Sequence, residues 1–159
     1  MIKFVEITNN NIADVISLSV HDNQKEFVAD NAISLAEAYA TRNEGNVALP
    51  YAVYDENQLI GFVMLGYGTV GDIEEPEIFM DNYILWRLMI DKKYQGNGYA
   101  KRILDEVAKV VKEKPCGDAE YLLVSYEKEN LRGRTVYLKY GFEETDIMCG
   151  AEIVALFKI

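Results

Sequence analysis

The sequence predicts an α/β domain: one mixed central sheet of six to seven strands flanked by helices. Three observations carry that prediction. Strand-like and helix-like segments alternate through most of the 159 residues. The run 81–91 (DNYILWRLMID) is apolar enough for a central strand buried on both faces. A strongly amphipathic helix follows it directly.

Residues 2–7 (IKFVEI) alternate as a first strand does, and 10–43 read as helical segments broken near 21–23 and 30–34. At the second break Ser34 and Glu37 stand at capping-box spacing, which predicts a helix N-terminus at Ser34. Residues 50–54 and 59–67 form two strands joined through Asp55, Glu56, Asn57 and Gln58 as a hairpin. A loop rich in glycine and acid, 68–77, leads to the central run 81–91.

From Ala100 the apolar residues Ile103, Leu104, Val107, Ala108 and Val111 recur at helical spacing. Lys101, Asp105, Lys109 and Lys112 occupy the other face. Lys112 and Lys114 suit the negative C-terminal end, and Pro115 with Gly117 stops the helix. Residues 121–126 (YLLVSY) form a second central strand, and 129–139 a helix ended by Tyr140 and Gly141. The chain closes with a hairpin, 142–147 and 152–159, turned through Cys149 and Gly150.

A chain of this length fits one domain and buries roughly two-thirds of its unfolded surface, so its core needs neither disulfide nor metal. Its 26 acidic and 16 basic residues give a formal charge of −10, the wrong sign for gripping a phosphate backbone, so no nucleic-acid partner is expected. No apolar stretch reaches the ~20 residues of a membrane span, and the opening MIKFVEI has no signal-peptide core. A cytoplasmic protein without a membrane partner is the expectation. Cys116 and Cys149 are far apart and His21 is the only histidine, which excludes a structural zinc site and leaves no metal call on the chain. His21 reads as a partly exposed helix residue, and no nucleophile motif such as GxSxG accompanies it.

Chemistry points to the junction after the central strand. There Gln95-Gly96-Asn97-Gly98-Tyr99-Ala100 opens the amphipathic helix, presenting free main-chain N–H groups at the positive end of the helix dipole. The two glycines let an anion approach, and no Asp, Ser or Thr stands at the N-cap to compete with it. A Walker A loop is excluded, because its first glycine and the hydroxyl residue after the lysine are missing. A dinucleotide fingerprint is disfavoured, because Lys101 stands where its third glycine belongs.

That string resembles the Q/R-x-x-G-x-G/A signature of the GNAT superfamily of acetyl-CoA-dependent N-acetyltransferases. Downstream, Asn130 and the sequence from Val136 to Phe142 (VYLKYGF) are similar to the family's later motif. Length, the segment RLMIDKKYQGNGYAKRIL and an N-terminal helical block containing Gln24, Phe27, Ser34 and Leu35 make the bacterial spermine/spermidine (diamine) acetyltransferases the subgroup it most resembles.

The resemblance implies a GNAT-like acyl-CoA N-acyltransferase fold and acetyl-CoA as donor. It implies that the N–H groups of Gly96, Asn97, Gly98, Tyr99, Ala100 and Lys101 hold the pyrophosphate, assisted by the Gln95 side chain. The pantetheine arm then lies along Leu88, Met89 and Ile90, with a strand N–H, that of Met89, as oxyanion donor. Asn130, Gly133, Arg134 and Tyr137 fall on one helix face, with Gly133 admitting the pantetheine, Lys139 among the cofactor contacts and Tyr137 as general acid. Tyrosine titrates near ~10 and an alkyl thiol near ~8.5, so that proton transfer is uphill by ~2 kcal/mol in water, and burial of the sulfur narrows the gap.

A small-molecule amine, most simply a polyamine, is the implied acceptor, and relatives of this kind often form homodimers. Glu26, Glu37 and Glu75, with Asp72, Glu74 and Glu77, are the candidates for holding ammonium groups or taking a proton, and none stands out as the base. Trp86 beside Arg87 can face a cation or pack. An acceptor that is a protein N-terminus, an amino acid or a drug amine, and a non-catalytic acyl-CoA-binding module, stay open as alternatives.

Overall fold

The alternating N-terminal residues become β1 (Ile2–Glu6), antiparallel to β2 (Val47–Asp55), in a computed structural model that describes residues 1–69 and 74–159. β2 turns into β3 (Gln58–Tyr67) through Glu56 and Asn57, with Glu56 in left-handed backbone at φ 55°. Pro50 lacks an N–H but stands one residue beyond Tyr51, where the β1 ladder ends.

β3 pairs antiparallel with β4 (Tyr83–Ile90), and β5 (Tyr121–Tyr126) lies parallel to β4. A parallel step needs a crossover, which α3 (Tyr99–Lys112) supplies. The closing hairpin is β6 (Glu143–Cys149) and β7 (Glu152–Lys158), and β7 inserts between β5 and β6. The result is one seven-stranded mixed sheet, ordered β1-β2-β3-β4-β5-β7-β6.

α3 and α4 (Leu131–Tyr140) cover one face of the sheet. The four α3 side chains Ile103, Leu104, Val107 and Val111 are fully buried against Val53, Val63, Leu65, Tyr83 and Leu122. Burial on that scale contributes on the order of 10 kcal/mol before chain entropy is subtracted. α1 (Ile12–Ser17) and α2 (Asn31–Asn43) cover the other face, where Val15 and Ala38 meet Ala52, Phe62, Met64 and Met89. Among the described residues no helix is long and apolar enough to cross a membrane.

The break near residue 21 is a short 3-10 turn, Asp22–Gln24, and His21 precedes it as an exposed N-cap rather than a helix residue. The second break differs from expectation. α2 starts one turn before Ser34, with Asp30 as N-cap, and the Ser34 N–H already donates to the Asp30 carbonyl at 3.0 Å. Asn31 also donates its side-chain amide to the Val15 carbonyl at 2.8 Å, tying the earlier start to α1. Ser34 is therefore an interior helix residue, fully buried, and the Ser34–Glu37 capping box does not form. Asp72 lies outside the described residues.

Candidate active site

The feature that organises the site is a gap in the sheet. β4 and β5 pair only at Tyr83 with Leu122 and Ile84 with Leu123, so both strands run on towards Ile90 and Tyr126 without a shared ladder. A bulge sets the geometry. Met64 faces Arg87 and Leu65 faces Leu85, which leaves Trp86 without a partner on β3. The extra residue flips the alternation: Tyr83 and Leu85 join the core under α3, then Leu88 and Ile90 do, while Trp86 and Met89 turn to the α1–α2 side.

The register also decides which main-chain groups face the gap. The Asp91 N–H donates to the Ile60 carbonyl at 2.9 Å, so Ile60 and Asp91 are a hydrogen-bonded pair, and the alternation of an antiparallel ladder makes Phe62 and Met89 the next one. The Met89 N–H is thus spent on β3. It is therefore not free for the oxyanion role expected of it, and Leu88 and Ile90 are the residues that turn their main-chain groups to the open edge. Ile90 shows this directly, since its carbonyl accepts from the Gln95 amide at 2.9 Å.

At the end of β4 the glycine loop meets α3. Gly96 and Gly98 have φ of 81° and 74°, left-handed backbone that only glycine adopts without strain, and Gly98 is the N-cap of α3 with no side-chain cap. Beyond the adjoining residues, no protein atom lies within 4 Å of where a β-carbon would stand on either glycine. Among the described residues no protein group accepts from the N–H of Gly96, Asn97 or Gly98, and the first turn of α3 adds its own free donors. A row of unpartnered donors at a helix N-terminus, open to solvent, fits a diphosphate, so the residues present fit the pyrophosphate of coenzyme A.

A cavity of about 1030 Å³ runs from this loop through the gap. Its wall includes Leu88, Met89, Ile90, Gln95, Gly96, Gly98, Tyr99, Ala100, Asn130, Gly133 and Tyr137. Three expected contacts lie outside it. Asn97 folds its amide back on the carbonyls of Tyr94 and Gln95, Lys101 pairs with Asp105 at 2.8 Å, and Lys139 is exposed beyond the wall. Gln95 does not reach for the loop's anion site either, because its amide is taken by Ile90 and Gln24.

Tyr137 is buried on α4, stacked on Tyr126 at 5.6 Å and edge-on to Phe142. Among the described residues its hydroxyl has no hydrogen-bond partner. Burial, then the Tyr126 phenol and the Glu152 carboxylate, hold that hydroxyl well above the ordinary tyrosine value. The phenol therefore stays protonated and available as a donor. Arg134 leaves the expected cofactor face: it forks onto Glu144 at 2.7 and 2.8 Å, and Tyr126 donates to the same carboxylate at 2.8 Å. That network braces the ring on which Tyr137 stacks.

Asn130 caps α4 by accepting the Gly133 N–H, so Gly133 makes room for the Asn130 side chain as well as lining the cavity. Of the acidic candidates, Glu26, Glu74 and Glu75 belong to the wall, while Glu37 is paired with Arg87 at 2.8 Å and lies outside it. The Arg87 guanidinium also rests over the Trp86 ring at 5.6 Å, so this aromatic already has its cation. Sequence reasoning missed Glu127, Glu129 and Glu152, which join the wall beside Ser125. Ser125 donates to Glu152 at 2.5 Å, a contact that exists only because β7 inserts next to β5.

Comparison with known proteins agrees with this geometry. Residues 48–144 match the family described as Acetyltransferase (GNAT) domain. The chain is 27% identical over 139 residues to the spermine/spermidine N(1)-acetyltransferase of Bacillus subtilis strain 168, covering 86% of this chain and 84% of that protein. It has the same identity and coverage with the probable spermine N(1)-acetyltransferase of Bacillus subtilis subsp. natto. Among solved structures, aminoglycoside acetyltransferase AAC(6')-Ib in complex with coenzyme A superposes with a TM-score of 0.78 at 14% identity, covering 99% of this chain and 95% of that one. The PaiA N-acetyltransferase of Thermoplasma acidophilum with coenzyme A gives 0.68 at 17% identity, covering 100% and 99%. These neighbours share the fold. A family match over more than half the sequence, on a sheet split beside a row of free amides, makes this chain a member of the GNAT family, an acetyl-CoA-dependent N-acetyltransferase.

Proposed function

We propose that the acceptor is a primary amine of a small polyamine such as spermidine or spermine. The observation that supports this is the charge of the cavity wall. Among the described residues the wall carries the carboxylates Glu26, Glu74, Glu75, Glu127, Glu129 and Glu152 against the cations Lys25, Arg87 and Arg132, and Lys25 and Arg87 are paired with Asp22 and Glu37 outside it. A wall with excess carboxylate favours a ligand carrying several positive charges. The likeness to the two Bacillus proteins supports the same acceptor class.

When bound, acetyl-CoA supplies the acetyl group as a thioester. The N–H groups of Gly96, Asn97 and Gly98 and of the first α3 turn bind the diphosphate. Leu88, on the open edge, donates its N–H to the thioester oxygen as charge grows there, an interaction worth ~3 kcal/mol in comparable sites. Tyr137 donates its hydroxyl proton toward the departing sulfur. The raised pKa of the buried phenol widens the gap to a thiol in water, so the donation is effective because the sulfur is buried too and its own basicity rises. The acceptor must lose a proton first, since an amine titrating near ~10 is only about one part in a thousand neutral at pH 7. The wall carboxylates hold its remaining ammonium groups and draw that proton away.

Acetyl-CoA turnover read out as free thiol, against a panel of polyamines, aminoglycosides, amino acids and peptides, tests the reading. Spermidine or spermine is expected to give the highest kcat/KM. Turnover of peptides or amino acids with none on polyamines overturns it.

A further inference from the structure

Gln24 and Gln95 are 71 residues apart in sequence, and their side-chain amides meet head to head. Gln95 Nε2 donates to Gln24 Oε1 at 2.9 Å, and Gln24 Nε2 donates back to Gln95 Oε1 at 3.1 Å. Both amides are fixed from behind. The His21 N–H donates to Gln24 Oε1 at 3.1 Å, and Gln95 Nε2 gives a second hydrogen bond to the Ile90 carbonyl at 2.9 Å. The end of β4, the cofactor loop and the turn Asp22–Gln24 are thereby joined through one pair of side chains.

What the pair holds is a wall. Residues 24–29 line the cavity in an unbroken stretch, yet none of them is fully buried, and Phe27 and Val28 are the half-buried apolar anchors. A segment with so little apolar contact sits at the low-stability end of a fold. Its position relative to the cofactor loop therefore depends on the amide pair.

The geometry points to Gln24 as a positioning residue of the transfer reaction: acting through Gln95, it fixes the acceptor wall 24–29 against the cofactor loop, so that donor and acceptor bind with positive coupling. This inference rests on the reading of the glycine loop as the cofactor cradle. Ordering of the loop by the donor holds Gln95, Gln95 holds Gln24, and the acceptor meets a wall already in place. Coupling of this kind is reciprocal. Two amide hydrogen bonds of typical net strength set its scale at about tenfold.

The test uses the full chain and two readouts. In hydrogen exchange, CoA alone is expected to slow exchange of residues 22–29 in the wild type and to leave that segment unprotected in Gln24→Ala. In steady-state kinetics, Gln24→Ala is expected to raise KM for the amine about tenfold, more than it lowers kcat. Gln24→Glu keeps the acceptor oxygen, replaces the donor with a second oxygen, and is expected to fall between. In a Gln95→Ala background, Gln24→Ala is expected to add less than twofold. Equal protection of 22–29 by CoA in wild type and Gln24→Ala overturns the inference, as does an equal KM effect in both backgrounds. If the wild type binds CoA but turns over no amine, the acceptor reading fails while the exchange comparison still decides on the amide pair.

Discussion

Asn130 and Gly133 form a closed local unit at the start of α4. The Asn130 Oδ1 accepts the Gly133 N–H at 3.0 Å, and a β-carbon on Gly133 would stand 2.7 to 2.9 Å from three atoms of the Asn130 side chain. The cap and the glycine require each other. Gly133→Ala therefore displaces Asn130, and loss of an Asn cap costs ~1 kcal/mol. The expected result is a melting temperature lower by about 2–4 °C together with weaker CoA binding. Thermal unfolding and calorimetry check both, and an unshifted melt means the cap is dispensable.

Tyr137→Phe removes the hydroxyl and keeps the ring that stacks on Tyr126 and meets Phe142. The fold and CoA affinity are expected to survive. A fall in kcat of about 10²-fold or more is expected if the phenol is the proton donor. Free-thiol release under saturating substrates measures it, and a rate within threefold of wild type removes the assignment.

The pH dependence follows from the same residue. In the role proposed for Tyr137 the protonated phenol is the active form, and burial has raised its pKa, so loss of the acid is moved to higher pH. Meanwhile the neutral fraction of the amine grows with pH. kcat/KM is expected to rise steadily from pH 6 to about 10 with no falling limb from Tyr137 in that range. A bell with a descending limb near pH 8 or 9 contradicts this.

Gly98→Ala probes the cradle. At φ 74° an alanine pays for left-handed backbone at ~1–2 kcal/mol, and no protein atom lies near enough to clash, so the fold survives. Its methyl group instead enters the space next to the free amides. CoA affinity is expected to fall at least tenfold, measured by calorimetry, with a smaller change in melting temperature.

Much of this was written locally. The amphipathic spacing of Ile103, Leu104, Val107 and Val111 and the apolar run ending at Ile90 announce α3 and β4, because each is long and strongly periodic. The glycine loop was legible too, since two glycines at a strand–helix junction are needed there for backbone reasons. What the sequence could not tell is set by register and competition. Whether Leu88 or Met89 faces the gap depends on the bulge at Trp86, which only the pairing with β3 creates. The Ser34 cap lost to Asp30, one turn upstream, where the Asn31 amide could reach Val15. Arg134 shares a helix stripe with Tyr137 but is claimed by Glu144, and Glu152 reaches Ser125 only because β7 threads between β5 and β6.

The brevity of the β4–β5 ladder has a mechanical side. With only two residue pairs in register, the sheet is two half-sheets, four strands and three, riveted at Tyr83 and Ile84 and strapped across by α3. A ligand lodged in the seam acts as mortar between them: its affinity adds to the resistance of the whole protein to unfolding as RT ln(1 + [L]/Kd). The empty enzyme should come apart along that seam first, and the loaded one as a single block.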